Sequence, residues 1–257
     1  MRKDRFTEKV VIITGGGTGI GKACALAFAA EGARVVIAGR REKPLQETVR
    51  EIKNSEGMAE YIITDVSKRE QVDRLIDTVV EKYQKLDVIV PNASMVLVRP
   101  ITETTDEDIN RLVDINVKGN YFQLRKAVEQ MKKQGYGNIV AMSSMSGIIG
   151  HANMTLYCST KAAIANMCRA LALELAESNI RVNAVCPGTI DTAMPRGYAD
   201  STPDPDAVIK YFIEGEPMKR LGLPSEVATV VLFLASDEAS FVTGSTYGVD
   251  GGIMAGQ

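Results

Sequence analysis

A single histidine, His151, stands in 257 residues, and the four cysteines, Cys24, Cys158, Cys168 and Cys186, form no C-x-x-C pair. Zinc sites draw on clustered Cys and His ligands, so no metal site is expected. A catalytic thiol at Cys158 is not expected either, since the lone His151 would have to serve it. The cysteines lie in apolar or helical surroundings, which suits reduced, buried thiols. No run reaches the roughly 20 apolar residues of a membrane span. Charge of one sign is missing as well: 30 Lys and Arg face 32 Asp and Glu, for a net charge of -2. That balance carries no electrostatic signature of a nucleic-acid or anionic-membrane partner. The start, Met1 to Lys9, is charged and lacks the apolar core of a signal peptide, so a cytoplasmic location is the expectation.

What the chain does have is alternation. Short apolar runs at Val10–Ile13, Arg34–Ala38, Ala59–Ile63, Val88–Val90, Asn138–Met142, Val182–Cys186 and Thr246–Val249 read as strands. Helical segments fall between them, near 22–31, 44–55, 68–83, 106–116, 119–134, through Tyr157 to Ala176, and 225–236. Strand–helix alternation implies an α/β fold: one doubly wound Rossmann-type domain over 1–257, its seven-stranded sheet mostly parallel and covered by helices on both faces. One stretch breaks the composition. Residues 191–217 hold Pro195, Pro203, Pro205 and Pro217, with a short helix at 207–213. Following a strand's carboxyl end, where such sheets bind ligands, it reads as a mobile flap over the site.

The first strand runs into Thr14-Gly15-Gly16-Gly17-Thr18-Gly19-Ile20-Gly21 and then into a helix. In that context Gly15, Gly19 and Gly21 let the backbone approach a pyrophosphate, with the helix N-terminus aimed at the phosphates. No Gly-Lys-Ser/Thr follows, so this is not a P-loop. An acid at the end of the second strand would hold both ribose hydroxyls and repel a 2'-phosphate. Here Gly39 is followed by Arg40 and Arg41. Guanidinium groups suit a 2'-phosphate, so NADP(H) is expected over NAD(H). A solvated arginine pair is the alternative.

Of eight tyrosines, only Tyr157 has a lysine four residues on, Lys161. On a helix that spacing puts both on one face. An ammonium beside a phenol favours the phenolate, so the Tyr157 pKa is expected to fall below its usual value of about 10. A phenol so tuned exchanges protons with an alcohol or ketone. Ser144, thirteen residues before Tyr157, is a hydroxyl available to a developing oxyanion. A surface Tyr–Lys pair is the bland alternative.

These residues together resemble the short-chain dehydrogenase/reductase family, from Val10 to about Gly252. Thr14 to Gly21 is similar to its T-G-x-x-x-G-x-G turn. Asp65-Val66 resembles its adenine-holding pair, and Asn92-Ala93 its N-A-G run. Asn116, Ser144, Tyr157 and Lys161 resemble its catalytic tetrad. Pro187-Gly188-Thr189-Ile190-Asp191-Thr192 is similar to the turn whose Ile backbone and Thr hydroxyl bind the nicotinamide carboxamide. Two positions depart: Pro91 stands where the family has Asn, and Ser94 where it has Gly, beside the cofactor. The resemblance implies hydride transfer between the nicotinamide and a carbonyl. Tyr157 gives the proton, Ser144 orients the oxygen, Lys161 tunes Tyr157 and binds the ribose, and Asn116 helps hold a relay water. It also implies a homotetramer built through the two long helices and the C-terminal segment from Phe241 onward.

For substrate, Met95, Val96, Met145, Ile149, Met154 and Met194 suggest an adaptable apolar pocket. Ordinary core packing is the alternative for each, and His151 is either a polar substrate contact or a structural histidine. Three functions remain open. The first is an NADP(H)-dependent ketoreductase or secondary-alcohol dehydrogenase acting on a small molecule. The second is a reductase of 3-oxoacyl thioesters on acyl carrier protein or CoA, which needs a basic patch such as Arg99, Arg125 and Lys126. The third is a non-catalytic dinucleotide-binding sensor.

Overall fold

A computed structural model describes residues 4–256; Met1 to Lys3 of the charged start, and Gln257, lie outside it. Seven parallel strands form one sheet in the order β3-β2-β1-β4-β5-β6-β7. They are β1 (Val10–Thr14), β2 (Arg34–Gly39), β3 (Met58–Ile63), β4 (Val88–Val90), β5 (Gly137–Met142), β6 (Ile180–Pro187) and β7 (Thr246–Val249). The central strands are apolar on both faces because both are covered. Val11 and Ile13 of β1 and Val35 and Ile37 of β2 enter one core with Phe28, Val227 and Val231. Val10, Ile12, Val36 and Ala38 enter the other with Leu75, Ile76, Leu124 and Ile164. That period of two within unbroken apolar runs is the mark of a doubly covered parallel sheet.

The helices are α1 (Gly19–Ala30), α2 (Glu42–Asn54), α3 (Arg69–Tyr83), α4 (Asp106–Leu112), α5 (Gly119–Gln134), α6 (Thr155–Leu175), α7 (Ala193–Asp200), α8 (Pro205–Gly215) and α9 (Pro224–Ala235). None of the helices among the described residues is long and apolar enough to cross a membrane. Two departures from the sequence reading bear on function. The helices expected at 106–116 and 119–134 are not separate: a π-helical turn, Val113–Lys118, joins α4 to α5. It carries Asn116 into the interior at 0% exposure. Single π turns in α-helices recur at functional sites.

The second departure lies in 191–217. The short helix expected at 207–213 is present as α8, capped by Asp204, whose Oδ1 accepts from the Ala207 amide at 3.0 Å. A further helix, α7, precedes it despite Pro195 and Gly197. The two ends of the excursion are tied together. Ile190 bridges Gly222 in parallel, and the buried Glu216 accepts from the Thr189 amide at 3.0 Å.

From β1 the chain builds outward through β2 to β3, then crosses back to place β4 on the other side of β1. The crevice outside the carboxyl ends at that reversal is where open α/β sheets bind ligands.

Candidate active site

A cavity of about 270 Å³ opens at that reversal. Gly15, Gly17, Thr18, Gly19 and Ile20 form one stretch of its wall. Arg40 and Arg41 form a second, and Asp65 and Val66 a third. Asn92, Ala93, Ser94 and Met95 follow from β4, and Thr192 and Met194 from the start of α7. Five separated segments named from the sequence therefore meet around one space. Gly39, at the end of β2 where an acid would hold the ribose, also lines it, as do Pro44, Leu45, Thr64, Ile115 and Ala193, which the sequence does not mark out. Thr64, next to Asp65, had a signal in its position; the rest are apolar or small residues indistinguishable from core.

The turn's geometry explains its composition. Gly15 has φ +69° and Gly19 φ +55°, the left-handed region that glycine adopts freely. A Cβ on Gly21 would strike the Gly15 carbonyl and come within 2.6 Å of Asn92 Nδ2. Thr14 is buried and its Oγ1 accepts from the amides of Asn92 and Ala93, each at 3.1 Å. Asn92 Nδ2 returns a bond to the Thr14 carbonyl at 2.9 Å. Thr14 and Gly21 thus shape the cavity from behind its surface. Thr18 and Arg41 precede α1 and α2 without side-chain capping bonds, so the first amides of both helices remain available to an anion. Asp65 is occupied locally, Oδ1 accepting from the Ser67 amide at 3.0 Å and hydroxyl at 2.8 Å. Arg40 and Arg41 are exposed and, among the described residues, form no salt bridge.

A second cluster lies deeper. Tyr157, in the first turn of α6, is 7% exposed, and Lys161, one turn on, is 2% exposed. Lys161 Nζ donates to the Met142 carbonyl of β5 at 3.0 Å and sits 5.7 Å from the centre of the Tyr157 ring. Ser144, also buried, follows β5 and accepts from the Ser146 amide at 3.1 Å. Asn116 reaches α6 through Thr160, its Nδ2 donating to Thr160 Oγ1 at 3.1 Å. Thr160 escaped the sequence reading because a threonine inside a helix carries no signal of its own.

The expected fall in the Tyr157 pKa is not what the protein's own groups produce. Burial pushes the phenol up to about 12, and the Ser144 hydroxyl only partly offsets it. Burial also pulls Lys161 down to about 8. Both charged forms lose water, and desolvation decides both shifts, with no contribution from either group to the other.

Several expected contacts fall outside the cavity lining. Pro187 and Ile190 are buried, Gly188 is partly so, and a Cβ on Gly188 would meet the Asp250 backbone at 2.8 Å. Of the expected substrate residues, Met95 and Met194 line the cavity, whereas Met145, His151 and Met154 do not. His151 is half-buried, its Nε2 without a partner and its pKa lowered by burial against an opposing pull from Glu216.

Comparison with known proteins agrees with this architecture. Residues 15–254 match a family model described as enoyl-(acyl carrier protein) reductase. The chain is 43% identical over 97% of its length to an uncharacterized oxidoreductase of Thermotoga maritima, covering 99% of that protein. It is 38% identical to that organism's 3-oxoacyl-(acyl-carrier-protein) reductase, with 97% and 99% coverage. It is 36% identical to cyclopentanol dehydrogenase of a Comamonas species, with 98% and 99% coverage. The crystal structure of levodione reductase superposes with a TM-score of 0.95 at 32% identity, covering 98% of this chain and 100% of that one. The chain belongs to the short-chain dehydrogenase/reductase family. It is an oxidoreductase of a family that uses a nicotinamide cofactor.

Proposed function

We propose that the chain transfers a hydride between NADP(H) and a secondary alcohol or the matching ketone, with Asn116, Ser144, Tyr157 and Lys161 as its catalytic set. The observation that carries this is the buried cluster of Tyr157, Lys161 and Ser144, linked from Tyr157 through Thr160 and Asn116 to Met95 in the wall of a cavity suited to a dinucleotide. That fit rests on a turn whose glycines a Cβ would crowd, two uncapped helix N-termini and an unpaired arginine pair. When bound, the nicotinamide would supply or accept the hydride. Thr14 to Gly21, Asp65, Val66, Asn92, Ala93, the backbone of Ser94 and the 187–192 turn would hold the dinucleotide. Arg40 and Arg41 favour a 2'-phosphate, and hence NADP(H).

Tyr157, at about 12, is fully protonated near neutrality and serves as the proton donor to a carbonyl oxygen. Ser144 orients that oxygen. Lys161 is the nearby cation that favours the phenoxide left behind. Met95 and Met194, with Met145, Met154 and His151, border the substrate, and 191–217 covers it as a flap. A homotetramer is supported by exposed apolar side chains on α6 and after α9, Leu173 and Phe241.

The acyl-carrier reading has less support from this surface. Of its basic candidates, Arg99 is paired with Asp108 and Lys126 with Asp77. Arg125 stacks on Phe122. The deciding experiment is Tyr157→Phe, assayed by NADPH fluorescence titration and by ketone reduction. NADPH affinity stays within a few-fold of wild type while turnover falls by at least about 100-fold. Near-normal turnover would remove Tyr157 as the acid, and a wild type inactive on ketone, alcohol and thioester panels would favour the sensor reading.

A further inference from the structure

Four hydrogen bonds use up the side chain of Asn116. Its Oδ1 accepts from the Met95 amide at 3.0 Å and from the Ser94 hydroxyl at 3.1 Å. Its Nδ2 donates to the Met95 carbonyl at 2.9 Å and to Thr160 Oγ1 at 3.1 Å. Thr160 commits its own proton to the Tyr157 carbonyl at 2.8 Å, so toward Asn116 it only accepts. A carboxamide has two donor and two principal acceptor positions, and all are filled. One fully buried amide therefore fastens residues 94 and 95, which line the cavity, to the turn of α6 that bears Tyr157 and Lys161. The backbone of Met95 and the side chain of Thr160 make three of these bonds. The fourth exists because residue 94 is serine; a glycine there would leave Oδ1 with one donor.

We propose that Ser94 is a positioning residue for hydride transfer. Its hydroxyl holds the Asn116 amide in the orientation that fixes the cavity wall relative to Tyr157, so that hydride and proton converge on one carbonyl. This rests on the catalytic reading above. The role is geometric: Ser94 acts through Asn116 and Thr160 and leaves cofactor affinity to the rest of the wall. Misplacement of reacting groups by a fraction of an ångström is enough to lower the population of reactive arrangements.

The test uses the full-length protein with NADPH and its best ketone. Ser94→Ala, Thr160→Val and the double variant are compared with wild type for kcat, NADPH dissociation constant, melting temperature and the primary isotope effect of C4-deuterated NADPH. Ser94→Ala lowers kcat by about tenfold and raises the isotope effect on kcat, while NADPH affinity stays within twofold. Thr160→Val gives the same pattern, and the double variant is no worse than the more damaging single, as for two ends of one network. An unchanged kcat and isotope effect in Ser94→Ala would overturn the proposal. So would fully additive losses, or losses that follow weakened NADPH binding or a lowered melting temperature. The catalytic reading fails separately, through an active Tyr157→Phe.

Discussion

Tyr157 and Lys161 show what a spacing conveys and what it leaves out. Their offset of four was enough to put them on one helical face, and both stand where that rule puts them. The direction of the Tyr157 pKa was not legible, because it depends on how completely α6 is covered by β5, β6 and the turn after Ser144. Sequence carries pair spacing; the loss of water belongs to the packed molecule. A stability consequence follows for Lys161. Folding lowers its pKa from 10.5 to about 8, so the folded chain sheds this proton first. Between those values the unfolded chain binds more protons, and stability rises with pH. Tyr157 works the other way but only above about 10, where the unfolded phenol begins to ionise. Between pH 8 and 10, wild type should therefore gain on the order of 2 kcal/mol relative to Lys161→Met. Urea unfolding of both proteins at several pH values measures this, and parallel curves would count against a buried, titrating lysine.

At the scale of elements, strands were the most legible because their burial on two faces forces Val- and Ile-rich runs such as 10–13 and 34–38. The glycine turn was legible for a related reason, since positive φ at Gly15 and Gly19 excludes most other residues. The π turn at 113–118 was not, because it inserts one backbone hydrogen-bond step without a compositional mark. Helix α7 was hidden by Pro195 and Gly197, whose propensities local capping by Thr192 overrides. The tie between Glu216 and Thr189 joins residues 27 apart in sequence, beyond the reach of any local pattern. It gives a prediction about residues 191–217. Removing the carboxylate in Glu216→Ala leaves the Thr189 amide unpaired and loosens the base of the excursion. Amide exchange across 191–217 should accelerate at least about tenfold, a loss on the order of 1.4 kcal/mol of local protection. Exchange in β1 and β4 should stay as in wild type. Unaltered exchange in 191–217 would mean the bridge at Ile190 alone holds it.

For the molecule as a whole, the cavity was legible as a set of motifs but not as a shape. Residues near positions 15, 40, 65, 93 and 192 come together only because the strand order reverses between β1 and β4. Alternation implied such a sheet; the order of its strands fixes which carboxyl ends are neighbours. Cofactor choice is best measured at this scale, because a ligand that binds only the folded state stabilises all of it. NADPH at about 100 times its dissociation constant should add about 2.7 kcal/mol, or roughly 5–10 °C in melting temperature for a chain of this size. Arg40→Ala should weaken NADPH at least about tenfold by removing a charge-assisted contact, and so shrink the shift at fixed concentration. The NADH shift should stay the same. Equal shifts for both cofactors in wild type would favour the solvated-arginine alternative.

The parallel bridge between Ile190 and Gly222 gives the 191–217 excursion a neck. Everything between its two ends hangs from that neck, while the strands and the cavity wall other than Thr192 to Met194 close without it. Such a segment is a natural unit of exchange. A relative's insert of another length, grafted at the same neck, would bring a new clientele of alcohols and ketones to an unaltered chemical engine.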